Sequence, residues 1–495
     1  MAFVPREERL FCLGLFNSSV FDSLIGLFAG KVGGVQYEAG LIQDIPVPVV
    51  EGPARDRMAD LAQRAWQLNR ALDTTHETST AFLLPPLLNE RVTGVKHGAV
   101  ALELAAIQRE IDDHAFELYG ISADDRAAID ASSNSGTGNN DGGIPDDDIE
   151  EEAGEGGAPV STGTDALLSW LVGVAFGRFD PRLATGERPL PLVREPFDPL
   201  PERAPGMYPR GEEPVERLDV LVDDEGHRSD LALQVLRWAE RVSVELPSAI
   251  RRWLAREFFP LHIKMYSKSR RKAPIYWQLA TPSASYSVWL YIHAFSKDTL
   301  FRVQNDYVAP KLAHEERRLE SLTSELRDGA TTAQRKALAA QEAFVDELRA
   351  FLDELKRVAP LWSPNLDDGV IINFAPLWRL VPQHKAWQKE LKPTWDALCE
   401  GKYDWAHLAM HLWPERVVPK CAKDRSLAIA HGLEEVFWVE GTDGKWTALK
   451  TPTRSVDELV RERTSPAVKS ALQSLLEAPS ATGHAKKTKK GKAHA

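Results

Sequence analysis

The segment HIKMYSKSRRKAPIYW, residues 262–277, concentrates side chains that could do chemistry. Lys264, Lys268, Arg270, Arg271 and Lys272 fall within nine residues, with Tyr266, Tyr276 and Trp277 interleaved. Cations spaced in this way can neutralise phosphates and release their counterions. Arginine forks can reach guanine edges, and the rings can stack or pack. The competing reading is an exposed basic turn ahead of a hairpin whose Trp277 belongs to the core. A second basic cluster, Arg416, Lys420, Lys423 and Arg425, follows the helical stretch AHLAMHLWPE.

Patterns for catalysis are sparse. Asp223, Asp224 and Glu225 could hold a divalent metal, but Gly226 makes a turn after a strand the reading we adopt. Glu354 and Lys356 form an E-x-K pair on a charged helix with no obvious partner acids for a metal, which reads as a solvated face. GLFAGKVGG (26–34) fails as a phosphate loop, because valine follows Gly-Lys and the first glycine stands one position too close. No zinc-protease, nucleophile-elbow or kinase signature occurs. His293, inside the apolar YIHAF, reads as a core residue. No catalytic, cofactor-binding or metal-ligating residue is therefore assigned on this chain.

The elements that must position these residues follow from periodicity. Residues 1–50 read as a helix, a glycine-bearing turn and an extended exit. Phe11, Leu15, Ser19, Leu24 and Phe28 lie on one helix face, and Pro46 and Pro48 hold IPVPVV extended. This apolar start reads as a buried amphipathic helix, not a signal or a membrane span. Residues 53–119 read as helical with a break at Pro85–Pro86. Leu102, Ile107, Ile111, Phe116 and Leu118 sit on the apolar face of the last helix, which Gly120 stops. Residues 165–176 read as helix, 217–224 as a strand, and PIYWQLA with YSVWLYIH (274–293) as a β-hairpin. Leu312, Leu319, Leu322 and Leu326, then Phe344, Leu348, Phe351 and Leu355, form two near-heptad seams around a turn at Gly329. They predict a long antiparallel helical hairpin over 305–357.

Charge and composition set the domain plan. The formal net charge of −12 argues against nucleic acid as an average, yet eight acids crowd residues 141–155 and leave only −4 for the rest. Local basic surfaces remain possible, and local charge is what steers a polyanion. The three cysteines lack paired spacing, which fits a reducing cytoplasm. Eight of the fourteen tryptophans lie in 360–447, which predicts a helical region with an aromatic core. The plan is a multidomain, mainly α chain with small β elements (α+β). Its segments are 1–50, helical 51–129, an acidic disordered linker 130–164, an α+β region 165–304, the hairpin spacer 305–357, the tryptophan-rich region 358–447, and 448–495 with a basic disordered tail.

Several segments together resemble one family. FNSSVFDSLIGLFAGKVGGVQYEAGLIQDIPVP is similar to the closing stretch of a target-recognition domain in type IIG adenine-specific DNA methyltransferases, and AIQREIDDHAFELYGIS to the helix that follows. LLSWLVGVAFGRFDPR, DVLVDDEGHRSD, the 258–300 segment around APIYW, and NLDDGVIINFAPL resemble, in that order, C-terminal segments of the PglX methyltransferases of BREX phage defence and the related DISARM methylases. The resemblance implies double-stranded DNA as a partner, with 1–50 as the end of a recognition domain whose turn is shaped by Gly33, Gly34 and Tyr37. It implies a region at 165–304 that contacts DNA through the five basic residues named above. The family's Asn/Asp-Pro-Pro-aromatic tetrapeptide has no counterpart: LLPPLL (83–88) lacks both the polar residue and the ring that hold a flipped adenine. The resemblance thus implies S-adenosylmethionine and catalysis on a partner methyltransferase subunit, with other defence proteins as further partners. Nuclease, atypical methyltransferase and non-catalytic scaffold remain the alternatives.

Overall fold

The structure is a computed structural model that describes residues 8–29, 45–135, 163–192, 194–214, 218–268, 271–325 and 331–478. It is mainly α-helical with small antiparallel sheets, as the sequence implies. The acidic run at 141–155, the turn at Gly329 and the basic tail lie outside the described residues. Contacts divide the chain into two units: residues 1–170 with 178–213, and residues 171–177 with 214–495.

In the first unit the expected N-terminal helix is two helices, α1 (Arg9–Phe16) and α2 (Ser19–Ala29), bent by 72°. Ser18 causes the break. Its hydroxyl donates to the Leu15 carbonyl (2.7 Å) and accepts from the Phe21 N–H (3.3 Å), ending one helix and capping the next. No single helix among the described residues is long and apolar enough to cross a membrane. α1 packs on α3 (Pro53–Asp73) where Gly14 faces Met58; a Cβ at Gly14 would meet the Met58 sulfur at 2.7 Å. α4 (Pro86–Thr93) begins at the proline pair, so the helix break falls at 74–84 and Pro86 starts a helix. Proline is tolerated there because the first-turn N–H has no helical partner. α5 (His97–Tyr119) stops at Gly120, whose φ of +64° suits glycine. Phe11, Leu15, Met58, Leu68, Ile107, Ile111 and Phe116 form the core of this unit. Leu102, expected on the buried face, is exposed.

α6 (Ala123–Ser135) and α7 (Gly163–Ala175) follow. The GRFD segment after α7 is structural. Phe179 packs on Phe82 (ring centroids 5.0 Å apart), Arg178 meets Glu77 at 3.2 Å with both buried, and buried Asp180 receives Arg182 (2.8 Å) and Arg188 (3.0 Å).

The second unit is built on a three-stranded antiparallel sheet in the order β1-β5-β4: β1 (Val220–Val222), β4 (Tyr276–Ala280) and β5 (Ser287–Tyr291). β4 and β5 form the expected hairpin, with Trp277 opposite Leu290. β1 is shorter than the strand expected at 217–224. Every residue of β1, β4 and β5 is buried, so both faces of the sheet are covered. α8 (Leu231–Arg241), α9 (Ile250–Arg256) and α10 (Phe258–Met265) follow β1, and Phe258 and Phe259 of α10 pack on Trp289. Phe374, from the tryptophan-rich stretch, stacks on Trp277 at 3.6 Å. His293, expected in the core, is exposed with its ring edge against Tyr291 (5.5 Å). One residue of turn beyond β5 is enough to carry it out of the buried sheet.

The helical hairpin is present as α11 (Ala309–Glu325) and α12 (Thr332–Val358), the latter opened by a capping box of Thr331 and Gln334. Leu312 of α11 and Val345, Leu348, Phe351 and Leu355 of α12 are buried. The seam also carries a polar layer: buried Glu315 accepts from Gln341 (2.7 Å) and pairs with Lys311 (2.8 Å). Residues 331–337 are exposed, so the turn end of α12 is solvated. Short helices then lead to α13 (Lys385–Cys399), whose Trp387 packs on Trp277 of the sheet (5.2 Å), and to α14 (Pro414–Cys421).

Candidate nucleic-acid interface

The segment at 262–277 folds into the end of α10, a small antiparallel ribbon of β2 (Ser267–Lys268) and β3 (Arg271–Lys272), and the start of β4. Lys268 pairs with Arg271 and Ser267 with Lys272. Arg270 lies outside the described residues, as do Gly33, Gly34 and Tyr37. Lys264 is exposed on the last turn of α10, where a cation also complements the helix dipole. Lys272 differs: its ammonium contacts the Glu390 carboxylate of α13.

The base of the ribbon is rigidly held. The Ala273 N–H donates to the Tyr266 carbonyl (3.0 Å). Fully buried His262 accepts through Nε2 from the Ile275 N–H (2.9 Å) and the Tyr276 N–H (3.1 Å). The His262 ring thus fixes the start of β4 by accepting from two successive backbone N–H groups. Tyr276 and Trp277 are fully buried. The choice between stacking and packing is thus settled for these two rings: they anchor the ribbon and take no part in a surface platform.

The second basic cluster is largely consumed by structure. Arg416 bonds Asp404 (2.8 Å) and the carbonyls of Leu398 (2.9 Å) and Cys399 (2.7 Å), closing the end of α13. Lys420 pairs with the same Asp404, and Arg425 with Glu434 (2.7 Å) while lying over the Trp446 ring.

The acidic turn folds as read: Gly226 has φ +87° and the His227 N–H returns to the Asp224 carbonyl (3.1 Å). Its two aspartates are occupied, while Glu225 is exposed. Arg251 lies between Asp223 (2.5 Å) and Asp230 (2.6 Å), and Lys311 between Asp224 (2.7 Å) and Glu315. Burial pushes the Asp223 carboxyl above its usual range against the pull of Arg251. Burial also opposes the Lys311 ammonium, but Asp224 and Glu315 outweigh it and raise its pKa. Glu354 is buried and pairs with Arg357 (2.8 Å), while Lys356 turns to Asp353 (3.5 Å). The E-x-K pair is therefore not a joint site. Among the described residues no cluster of three or more His, Cys, Asp or Glu is placed to hold a metal ion.

This turn borders a groove of about 1140 Å³ with walls from α9, α11 and the β4–β5 turn. Sequence reading missed its arginines. The signal available was IRRWLAR, a helix with three arginines and no acid.

No family model matches the chain. Its curated relatives are adenine-specific methyltransferases, and the similarity to the BREX PglX-like class implied by its segments is shown. One is BrxX of Escherichia coli O9:H4 (strain HS), 32% identical over 143 residues, 28% of this chain and 12% of that protein. Another is PglX of Lacticaseibacillus casei (strain Zhang), 22% identical over 386 residues, 74% of this chain and 31% of that protein. The chain spans less than a third of the length of either.

Proposed function

We propose that the chain is the DNA-recognition and structural portion of an adenine-specific DNA methyltransferase of a phage-defence or restriction system, acting in the cytoplasm. Methyl transfer and S-adenosylmethionine belong, in this reading, to a partner methyltransferase subunit. The similarity across 74% of the chain to an adenine-specific methyltransferase carries the proposal. The anchored base of the ribbon and exposed Lys264 beside it support it, since a rigid base lets a basic segment meet phosphates without further ordering. LLPPLL, the string nearest the adenine-holding tetrapeptide, surrounds the start of α4, with Leu83, Leu84 and Leu88 buried and Leu87 exposed. A nuclease reading gains nothing from Asp223, Asp224 or Glu354, each already paired with a cation.

Duplex binding measured against salt tests the proposal. Each phosphate neutralised contributes about −0.9 to the slope of log affinity on log salt. Changing Lys264, Arg270 and Arg271 together to alanine should flatten the slope by roughly two to three units. Lys272 is spared because Glu390 already holds it. The melting temperature should barely move. An unaltered slope in a folded variant removes the ribbon from the interface.

A further inference from the structure

The groove beside the acidic turn carries more cation on its rim than its own ion pairs use. Arg251 and Lys311 at its floor are each shared by two carboxylates. Above them, Arg252 and Arg256 stand four residues apart on α9, and His314 and Arg318 four apart on α11, all lining the groove. Residues at that spacing share a helix face, and like charges there disfavour the helix that bears them. Arg252 has no carboxylate partner among the described residues. Arg256 reaches only the Ser283 carbonyl at 3.4 Å, and the nearest carboxylate to Arg318 is Glu315 at 3.7 Å. Arg252 and Arg256, a like-charged pair on one helix face, together with Arg318 find little compensation among the described residues and call for an anion from outside the chain.

We propose that this rim binds the sugar–phosphate backbone of duplex DNA, with Arg252 and Arg256 on one bank and His314 and Arg318 on the other. The inference rests on the DNA-recognition reading above. The acidic floor selects the geometry. A small anion sinking into the groove would meet Asp223, Asp224 and Glu315, whereas a strand lying along the rim meets Arg252, Arg256 and Arg318 against the exposed carboxylate of Glu225, a net positive edge. Four residues of helix advance about 6 Å, close to the axial rise of two nucleotide steps of about 3.4 Å each. The β4–β5 turn that closes one end is braced for the role. Ser283 Oγ donates to Glu347 of α12 (2.6 Å), and Ala284, which lines the groove, takes φ +55°, a conformation alanine adopts only under constraint.

The test uses the full chain carrying Arg252→Ala, Arg256→Ala and Arg318→Ala together, a lysine version of the same triple, and the ribbon variant described above. Duplex affinity is measured across a salt series. The alanine triple should flatten the slope by roughly two to three units, and the lysine triple should keep the wild-type slope. If the ribbon variant flattens the slope and the alanine triple does not, the groove inference is wrong and the DNA reading stands. If the wild-type chain shows no salt-dependent duplex binding, both fall. Equal losses in the alanine and lysine triples would also overturn the inference, because charge would then not be what the rim supplies.

Discussion

His384 shows how one buried side chain ties folding to pH. Its Nε2 donates to the Gln278 Oε1 (2.8 Å), a side chain buried inside β4, and burial pulls its pKa down to about 4. In the unfolded chain the same imidazole titrates near 6.5. Between these values the unfolded state holds more protons, so stability rises with pH across that window. The contribution is complete above about 6.5 and is lost as pH falls towards 4. His411 and His431, also depressed by burial, act in the same direction. His384→Gln keeps an amide donor without the titration. The wild type should lose about 2 kcal/mol more than this variant between pH 7 and pH 4.5, read as the difference in urea midpoints. A parallel decline in both proteins would show that His384 is not buried as described.

At the scale of elements, the β4–β5 hairpin, the helical hairpin and the stop at Gly120 were legible because each rests on local periodicity or turn chemistry. The use of individual charges was not legible. Lys264 and Lys272 look alike in the sequence, but Lys272 meets Glu390, more than a hundred residues away. Arg416 and Lys420 looked like a binding cluster until Asp404 and the end of α13 were placed around them. Linear spacing carries no record of such partners. The same limit hid the groove, whose banks come from α9 and α11. The tryptophan-rich stretch, read as a region of its own, shares the sheet's core through Phe374 and Trp387 on Trp277. Trp277→Ala should therefore cost about 3–5 kcal/mol. Tryptophan fluorescence from this stretch should report the same lowered urea midpoint as circular dichroism of the whole unit. Separate transitions would mean that the stretch folds apart from the sheet.

For the whole molecule, the formal charge of −12 misleads, since eight acids lie in one run and basic groups gather on the ribbon and the groove rim. The chain pairs these surfaces with similarity to adenine-specific methyltransferases of far greater length. If the chain is the recognition portion proposed above, it should be required for methylation in the cell, because a methyltransferase without its recognition portion has no means to dwell on its target. Adenine methylation read by sequencing the genomes of cells with the gene intact, deleted and restored tests this most directly. The account predicts modified adenines in one sequence context that vanish on deletion and return with the wild-type gene. Identical adenine modification in all three would contradict it.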